Sequence, residues 1–343
     1  MDKIVILGGT GQVGTILARS FHRKGCEVIV TGRHPVKVPW RFVRWDGRTL
    51  GDWTAEIDGT DAVINLAGRS VNCRYTQKNR RLITESRVAS TLLLAEAIRR
   101  TSRPPPVWLQ AATATIYSHR YDAPNDEIAG IIGGVEPDVP ETWRFSIDVA
   151  TAWERAALAS GLPATRLVVL RSAMVMSPDR GGVFDTLLRL VRFGLGGRQG
   201  HGRQYVSWIH ETDFVRAVEW LLKKQAISGP INLCSPNPLP NAEFMAALRR
   251  AWGIYFGLPS TGWMLEIGAF FLRTETELIL KSRRVVPGLL DQNGFRFNFP
   301  DWPEAAQDLV YRWRSVHFRP KENETGIIPA SDRNGAGTKS GPF

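Results

Sequence analysis

The sequence predicts an α/β protein built around a doubly wound parallel sheet, with a smaller mixed cap on its C-terminal side. Three observations support this prediction. A glycine-rich turn follows the first apolar run, short apolar runs then alternate with helical patterns up to about residue 176, and the pattern beyond is irregular and glycine-rich. With 343 residues, 43% of them hydrophobic, the chain is long enough for one large or two ordinary domains.

The first unit is "KIVILGGTGQVG", residues 3–14. Residues 4–7 predict a buried parallel strand, and the apolar residues after Gly11 recur at helical spacing, so the glycines lie at a strand-to-helix turn. The helix N-terminus offers unpaired N–H groups there, and glycines let the backbone approach a pyrophosphate. This predicts a Rossmann-type dinucleotide site; the alternative is a tight turn that needs glycine only for its backbone angles. The predicted cofactor contacts are Gly8, Thr10, Gly11, Gln12, Val13 and Gly14.

The alternating part of the chain continues with further strands and helices. Helical patterns are clearest at residues 82–99 and 150–159. Strands separated by helices indicate a parallel sheet. The strands are expected at residues 27–32, 41–45, 61–68, 107–112 and 165–171.

The second half of the chain predicts a cap over the carboxyl edge of the sheet, where ligands bind in such folds. We expect a dinucleotide-binding domain at residues 1–176, to which some later segments return, a substrate-side cap at 177–318 and a disordered tail at 319–343. Helices are expected in the cap near residues 211–224 and 241–251 and in a last apolar and basic region from about 260 to 286.

The net charge of +11 gathers in two stretches, residues 69–87 and 189–203. Both follow elements that end at the expected cofactor cleft, so an anionic cofactor or substrate explains them better than nucleic acid; the alternative is a solvated basic face. No signal peptide or membrane span is evident. The three cysteines show no metal spacing, which predicts a cytoplasmic protein without a metal site. We expect a small-molecule substrate as partner and leave a homodimer open.

The end of the second predicted strand indicates which dinucleotide binds. NAD-binding versions of this fold carry an acid there that holds the ribose 2′-hydroxyl, whereas this chain reads "TGRH" with no acid from Val28 to Arg44. Arg33 can form paired hydrogen bonds with a 2′-phosphate, so we predict NADP(H). The alternative is that Arg33 is an ordinary surface arginine.

Two later turns complete the predicted cofactor site. Asp46, in "RWDG", is expected to accept from the adenine amino group or to be an exposed turn aspartate. The run "NLAG" closes the fourth strand with small residues that suit close approach to the cofactor, or simple packing. Its predicted contacts are Asn65, Ala67 and Gly68.

These motifs resemble the extended short-chain dehydrogenases/reductases, and within them the atypical YfcH-like epimerase family proteins with a C-terminal domain of unknown function. The resemblance extends to about residue 316. It implies an NADP(H)-binding protein with an unassigned substrate. The motifs that carry it are "GGTGQVG", "DAVINLAG", "ITESRVAST", "AWERAA", "GRQYVSWIHETD", "INLCSPNPLPNAEF" and "GAFFLRTETELILKSRRVVPGLL".

The resemblance also implies catalytic positions, and here the chain departs from its relatives. Thr113 stands where related enzymes carry a Ser or Thr, four residues before Tyr117. The usual Tyr-x-x-x-Lys pair is absent: alignment on Glu154 places Ser146 and Ala150 in the two positions, and no lysine occurs between Lys78 and Lys223. Loss of a general acid typically slows catalysis about 10²–10⁴-fold, so the usual mechanism is either slow or replaced.

The remaining candidates surround the predicted cleft. Tyr117, near Arg171 or His119, is a candidate catalytic group whose alternative is core packing. Arg87, where relatives carry an asparagine, and Arg171, at the end of the sixth strand, are expected to line the cofactor. For the substrate we name three residues, with loop ordering or cleft-edge solvation as their alternatives: Arg203, Gln204 and His210.

Two functions follow from these observations. The first is an NADP(H)-dependent oxidoreductase or epimerase-like enzyme for a small anionic or nucleotide-sugar-like substrate, in which Thr113 orients a carbonyl. The second is an NADP(H)-binding sensor or interaction protein that kept the cofactor site after losing the catalytic pair. An ionisable side chain near the reacting position would favour the enzyme, and an apolar ring would favour the sensor.

Overall fold

The computed structural model describes residues 1–260 and 277–317. Its centre is a seven-stranded sheet in which every neighbouring pair is parallel. The strands are β1 (Lys3–Leu7), β2 (Glu27–Gly32), β3 (Arg41–Arg44), β4 (Ala62–Asn65), β5 (Val107–Thr113), β6 (Arg166–Ser172) and β10 (Gly229–Leu233). Their order in the sheet is β10-β6-β5-β4-β1-β2-β3, so the predicted doubly wound fold is confirmed.

Helices cover both faces of this sheet. The helices of the first half are α1 (Gln12–Arg23), α2 (Gln77–Arg100) and α3 (Glu141–Leu158). Those of the second half are α4 (Val183–Arg192), α5 (Glu211–Lys223), α6 (Asn241–Trp252), α7 (Glu277–Leu280), α8 (Gly288–Gln292) and α9 (Trp302–His317). Four short strands form two small two-stranded sheets: β7 (Met174–Met176) with β9 (Trp208–His210), and β8 (Tyr205–Val206) with β11 (Leu239–Pro240).

The strands are apolar on both faces because both are covered. Alternate residues of β1 enter different cores: Ile4 and Ile6 pack in the cluster that contains Phe21 of α1, whereas Val5 and Leu7 pack in the cluster that contains Leu94 of α2. These four apolar residues of β1 are fully buried. Hydrophobic burial on both faces therefore fixes the position of the glycine turn that follows β1.

A third core holds the second half of the chain together. Helices α4, α6 and α9 enclose Phe184, Trp208, Phe244 and Trp302, all of them fully or almost fully buried. The rings of Phe244 and Trp302 stack at a centroid distance of 4.0 Å. No helix within residues 1–260 and 277–317 combines the length and apolarity that a bilayer crossing requires.

Some predicted elements differ from the structure. Strand β10 was not predicted and adds a segment of the second half to the sheet edge. Helix α3 begins at Glu141, before the predicted start at residue 150. A helical region was predicted from about residue 260 to 286. Residues 277–280 do form α7, but residues 281–286 form no helix, so the prediction is wrong there. Residues 261–276 and 318–343, with the predicted tail, lie outside the described residues.

Candidate active site

The glycine turn is packed too closely for side chains at two positions. Gly8 has a φ of +68°, and a Cβ added there would lie 2.7 Å from the Cα of Ala67. A Cβ at Gly14 would lie 2.6 Å from the carbonyl carbon of Gly9. Glycine is therefore required for close backbone packing between the ends of β1 and β4 and the start of α1.

The start of α1 is open to an anion. Gly11 is the N-cap and has no side-chain capping bond, and the first turn contains no acidic residue. Its unpaired N–H groups and the positive end of the helix dipole favour a negative ligand. This environment fits the pyrophosphate of a dinucleotide.

The side chains of the turn also fit a ligand. The Nε2 atom of Gln12 is buried, forms no hydrogen bond with the described part of the chain and lies against Gly182, where an added Cβ would collide with it. A buried unpaired amide is costly, so a bound molecule that accepts from it would be stabilised. Thr10 packs its Cγ2 atom 2.8 Å from the position of a Cβ on Gly32, at the end of β2.

The two residues expected at the adenosine end lie on the protein surface. Arg33 is exposed directly after β2 and forms no ion pair with the residues that the structure describes. Asp46 is also exposed: its Oδ1 accepts from the backbone N–H groups of Arg48 (2.8 Å) and Thr49 (2.9 Å), and these bonds lower its pKa. Asp46 therefore has the contacts of an exposed turn aspartate, which is the alternative expected from the sequence.

The end of β4 and the turn that follows it are shaped by Asn65 and contact Arg87. Asn65 is buried, donates from Nδ2 to Gln110 (2.9 Å) and accepts at Oδ1 from the backbone of Ala67 (3.1 Å). Asn65 thus shapes the turn from inside. A Cβ added at Gly68 would lie 3.3 Å from the Cγ atom of Arg87, so this turn packs against the arginine side chain.

A cavity of about 120 Å³ adjoins this turn at the carboxyl edge of the sheet. The three positions that the resemblance marks as catalytic, 113, 146 and 150, all contribute to its wall. The lining consists of Val71, Tyr75, Ile83, Arg87, Thr113, Thr115, Phe145, Ser146, Val149, Ala150, Trp153 and Glu277.

A hydroxyl and a carboxylate are hydrogen-bonded to each other in this wall. The Oγ atom of Ser146 donates a hydrogen bond to Glu277 of α7. The Glu277 side chain is fully buried, and Arg283 lies 3.5 Å from its Oε1 atom. Thr113 accepts from the backbone N–H of Thr115 (3.2 Å), which leaves the proton of its own hydroxyl for another acceptor.

Two basic residues after α7 hold the loop that follows β5. Lys281 donates from Nζ to the carbonyl oxygen of Thr115 (2.8 Å), and Arg283 donates from Nε to the Thr115 hydroxyl (3.2 Å). Burial and the charge of Arg283 lower the pKa of Lys281 to about 8. Sequence reasoning missed Glu277, Lys281 and Arg283; the available signal was the charged run "TETELILKSRR" beside an apolar segment.

Arg87 is the cation of the cavity wall. Its Nη1 atom donates to the backbone carbonyls of Arg69 and Ile83, each at 3.0 Å, and its guanidinium lies 5.0 Å from the ring centroid of Trp153. Burial lowers its pKa to about 10. Arg87 remains a cation at neutral pH while being partly removed from water.

Tyr117, predicted as a catalytic group, and Arg171, predicted at the cofactor, lie in one buried hydrogen-bonded group. The Arg171 guanidinium binds Glu154 through two bonds of 2.8 and 2.7 Å and donates to the Tyr117 hydroxyl at 2.8 Å. That hydroxyl donates to Asn232 of β10 at 3.0 Å, and burial raises its pKa. All four side chains belong to the interior and none is among the described cavity lining, so these contacts favour the core-packing alternative for Tyr117, and both predicted roles stay predictions.

The predicted substrate residues also have structural contacts. His210 is fully buried, caps α5 by accepting from the N–H of Thr212 (3.1 Å) and contacts Asp308 at 3.0 Å. Gln204 is fully buried and donates to the backbone of Gln199 and Ile279. These contacts favour the loop-ordering alternative for both, and their substrate roles stay predictions.

The remaining predicted substrate residue, Arg203, and most of its basic stretch lie away from the cavity. Arg203 is exposed, 6.0 Å from the ring of Tyr121. Arg189 pairs with Asp185, and Arg192 lies over the rings of Trp252 and Trp313. The stretch 189–203 is thus explained by packing and solvation, whereas the stretch 69–87 supplies Arg87 to the cavity.

Two family models match this chain, and a human relative is similar along most of its length. Residues 4–234 match the NAD dependent epimerase/dehydratase family, and residues 261–309 match a domain of unknown function, DUF1731. The human epimerase family protein SDR39U1 is 30% identical over 313 residues, which cover 90% of this chain and 99% of the human protein.

Solved structures agree with this similarity. The crystal structure of human SDR39U1 (isoform 2) with NADPH has a TM-score of 0.78 and 28% identity to this chain, covering 90% of this chain and 99% of that one. The nucleoside-diphosphate sugar epimerase from Corynebacterium glutamicum has a TM-score of 0.68 and 26% identity, covering 94% of this chain and 62% of that one.

We expect Gly14→Ala to lower the free energy of unfolding by about 1–3 kcal/mol, because the added methyl group overlaps the backbone of Gly9. Denaturant unfolding measures the change. Gly11→Ala is the matched control, since the nearest atom to an added Cβ there is 3.9 Å away, and its loss should be smaller. Equal losses in the two variants would contradict the packing explanation.

We expect Tyr117→Phe to cost about 1–3 kcal/mol of stability and to leave NADPH affinity unchanged, because it removes a hydroxyl that satisfies the buried Arg171 and Asn232. Unfolding and cofactor titration measure the two effects. Tyr311→Phe, at a tyrosine that is 74% exposed, is the control and should change neither quantity. Unchanged stability together with weakened NADPH binding would contradict the core-packing role and assign Tyr117 to the cofactor site instead.

Proposed function

Because the chain belongs to the NAD dependent epimerase/dehydratase family, we propose that it binds NADP(H) and transfers hydride between this cofactor and a small anionic carbonyl or alcohol substrate. The observation that carries the proposal is the cavity beside the glycine turn, where Thr113, Ser146, Glu277 and Arg87 converge. These side chains can orient, protonate and attract such a substrate.

The residues of the turn fit the proposed cofactor. Gly8 and Gly14 keep the backbone close, α1 offers its uncapped N-terminus, and Gln12 offers an unpaired amide. Arg33 is free to meet the 2′-phosphate that distinguishes NADP(H) from NAD(H). The related human protein has been crystallised with NADPH. When bound, this cofactor supplies or accepts the hydride.

The two hydroxyls of the wall would have different roles. Thr113 accepts a backbone hydrogen bond, so its own proton is available to the oxygen of a substrate carbonyl and orients it. Ser146 occupies the position of the missing tyrosine and is hydrogen-bonded to Glu277. When an alcohol is oxidised, its proton passes to the Ser146 oxygen while the Ser146 proton moves to the Glu277 carboxylate. Reduction follows the same path in reverse.

The second candidate function is an NADP(H)-binding sensor or interaction protein. The observation that favours it is Ala150, a methyl group where relatives place the lysine that assists the tyrosine. The enzyme is better supported, because the cavity wall contains two ionisable side chains, Arg87 and Glu277, and is not an apolar ring.

We expect the wild-type protein to oxidise NADPH in the presence of a small carbonyl compound, and Thr113→Val and Ser146→Ala each to lower the rate about 10²–10⁴-fold. The experiment follows NADPH fluorescence across a panel of small aldehydes, ketones and oxo acids. Thr113→Ser and Ser146→Thr keep a hydroxyl and should retain most of the activity. NADPH binding without turnover of any compound would favour the sensor.

We expect Arg33→Gln to weaken NADPH binding about 10- to 150-fold and to leave NADH binding nearly unchanged, since one charge-assisted bond to the extra phosphate is worth about 1.5–3 kcal/mol. Fluorescence titration with both dinucleotides gives the ratio. Arg23→Gln, another exposed arginine at the far end of α1, is the control. A parallel loss of NADH affinity would show that Arg33 does not read the phosphate.

A further inference from the structure

The guanidinium of Arg87 has an unused hydrogen-bonding edge. Of its three nitrogen atoms, Nη1 donates to the carbonyls of Arg69 and Ile83. Its Nε and Nη2 atoms form no hydrogen bond with residues 1–260 or 277–317. These two atoms form the edge that binds a carboxylate through two parallel bonds. The glycine at position 68 leaves room beside this edge, because a Cβ there would lie 3.6 Å from Nε.

The charge of Arg87 is also unpaired among the described residues. Its contacts there are backbone carbonyls and the ring of Trp153, and no acid within residues 1–260 or 277–317 forms an ion pair with it. The acid in the described cavity lining is Glu277, which is hydrogen-bonded by Ser146 and paired with Arg283. A partly buried cation without a counterion favours an anionic ligand, because pairing restores the interaction lost with water.

The size and polarity of the cavity limit that anion. Its volume of about 120 Å³ is below the roughly 300–1,000 Å³ typical of pockets that enclose drug-sized ligands. Apart from the charged and hydroxyl groups already described, the wall is mainly apolar or aromatic, with Val71, Ile83, Phe145, Val149 and Trp153. A short carbon chain with one carboxylate fits these features.

We propose that Arg87 binds the carboxylate of a short-chain oxo acid and thereby sets the substrate class of the cavity. This inference rests on the proposed function, since the carbonyl of the acid is the group that Thr113 and Ser146 would contact. Arg87 also lies beside Gly68, in the turn that is predicted to contact the cofactor. The anion that pairs with Arg87 is therefore either the carboxylate of the substrate or a phosphate of the cofactor. The experiment below separates these two sources.

The test measures binding, so no turnover is required. Protein loaded with NADP⁺, which cannot reduce the probe, is titrated calorimetrically with pyruvate and with pyruvamide, its neutral isostere. The same titrations are made without dinucleotide, and NADP⁺ affinity is measured separately. The variants are Arg87→Gln, Arg87→Lys and the control Arg81→Gln, whose side chain is 72% exposed on the same helix.

We expect pyruvate to bind at least 10-fold more tightly than pyruvamide, and Arg87→Gln to abolish this preference while NADP⁺ affinity changes less than about twofold. Arg87→Lys should keep part of the preference, because it keeps the charge but loses the paired geometry. Arg81→Gln should behave as wild type. Thermal unfolding of each variant verifies that it is folded.

Three results would overturn the inference. Pyruvate and pyruvamide could bind the wild type equally, Arg87→Gln could retain the preference, or Arg87→Gln could weaken NADP⁺ binding instead and so assign the arginine to the cofactor. Turnover of neutral carbonyl compounds without a carboxylate preference would leave the proposed function intact and reject this inference alone. Failure of the wild type to bind either dinucleotide would reject the proposed function, and the titrations without dinucleotide would still decide the role of Arg87.

Discussion

The close approach of two backbone turns at the carboxyl edge of the sheet is the constraint on which the rest of the site depends. Gly8 follows β1 and Ala67 follows β4, and no side chain at position 8 would fit between them. Their contact places the start of α1 against the turn after β4, while Gly68 in that turn lies against Arg87. The glycine turn and the cavity are thus linked through the turn after β4, which contacts Gly8 at Ala67 and Arg87 at Gly68.

The second half of the chain contributes to the wall of the cavity and holds a neighbouring loop. Lys281 and Arg283 both bind Thr115, so the loop after β5, which presents Thr113, is held by residues far away in the sequence. Glu277 reaches Ser146 on α3 from the same segment. Lys281 and Arg283 hold the loop, and Glu277 is the group that lies beside the Ser146 hydroxyl. This differs from the arrangement implied by the resemblance, in which a lysine and a tyrosine share one helix.

The sequence predicted the parts of the fold that depend on local patterns. The glycine turn and strands β1 to β6 follow from apolar runs and periodicity, and they were found where expected. Strand β10 was missed because its five residues, "GPINL", include a glycine and a proline and carry little periodicity. The roles of Tyr117, Arg171 and His210 could not be predicted, because a cleft-facing and a buried polar side chain look alike until their distant partners, such as Asn232 and Asp308, are known.

The buried group around Arg171 has a consequence for sequence divergence. Glu154 on α3, Arg171 on β6, Tyr117 after β5 and Asn232 on β10 satisfy one another away from water. Removing one partner of the buried Glu154–Arg171 ion pair would leave the other charge buried without a counterion, which costs about 3–5 kcal/mol of stability. Exchanging both residues for apolar ones can leave the stability unchanged. These four positions are therefore expected to vary together among related chains, and a lineage that loses the glutamate should lose the arginine as well.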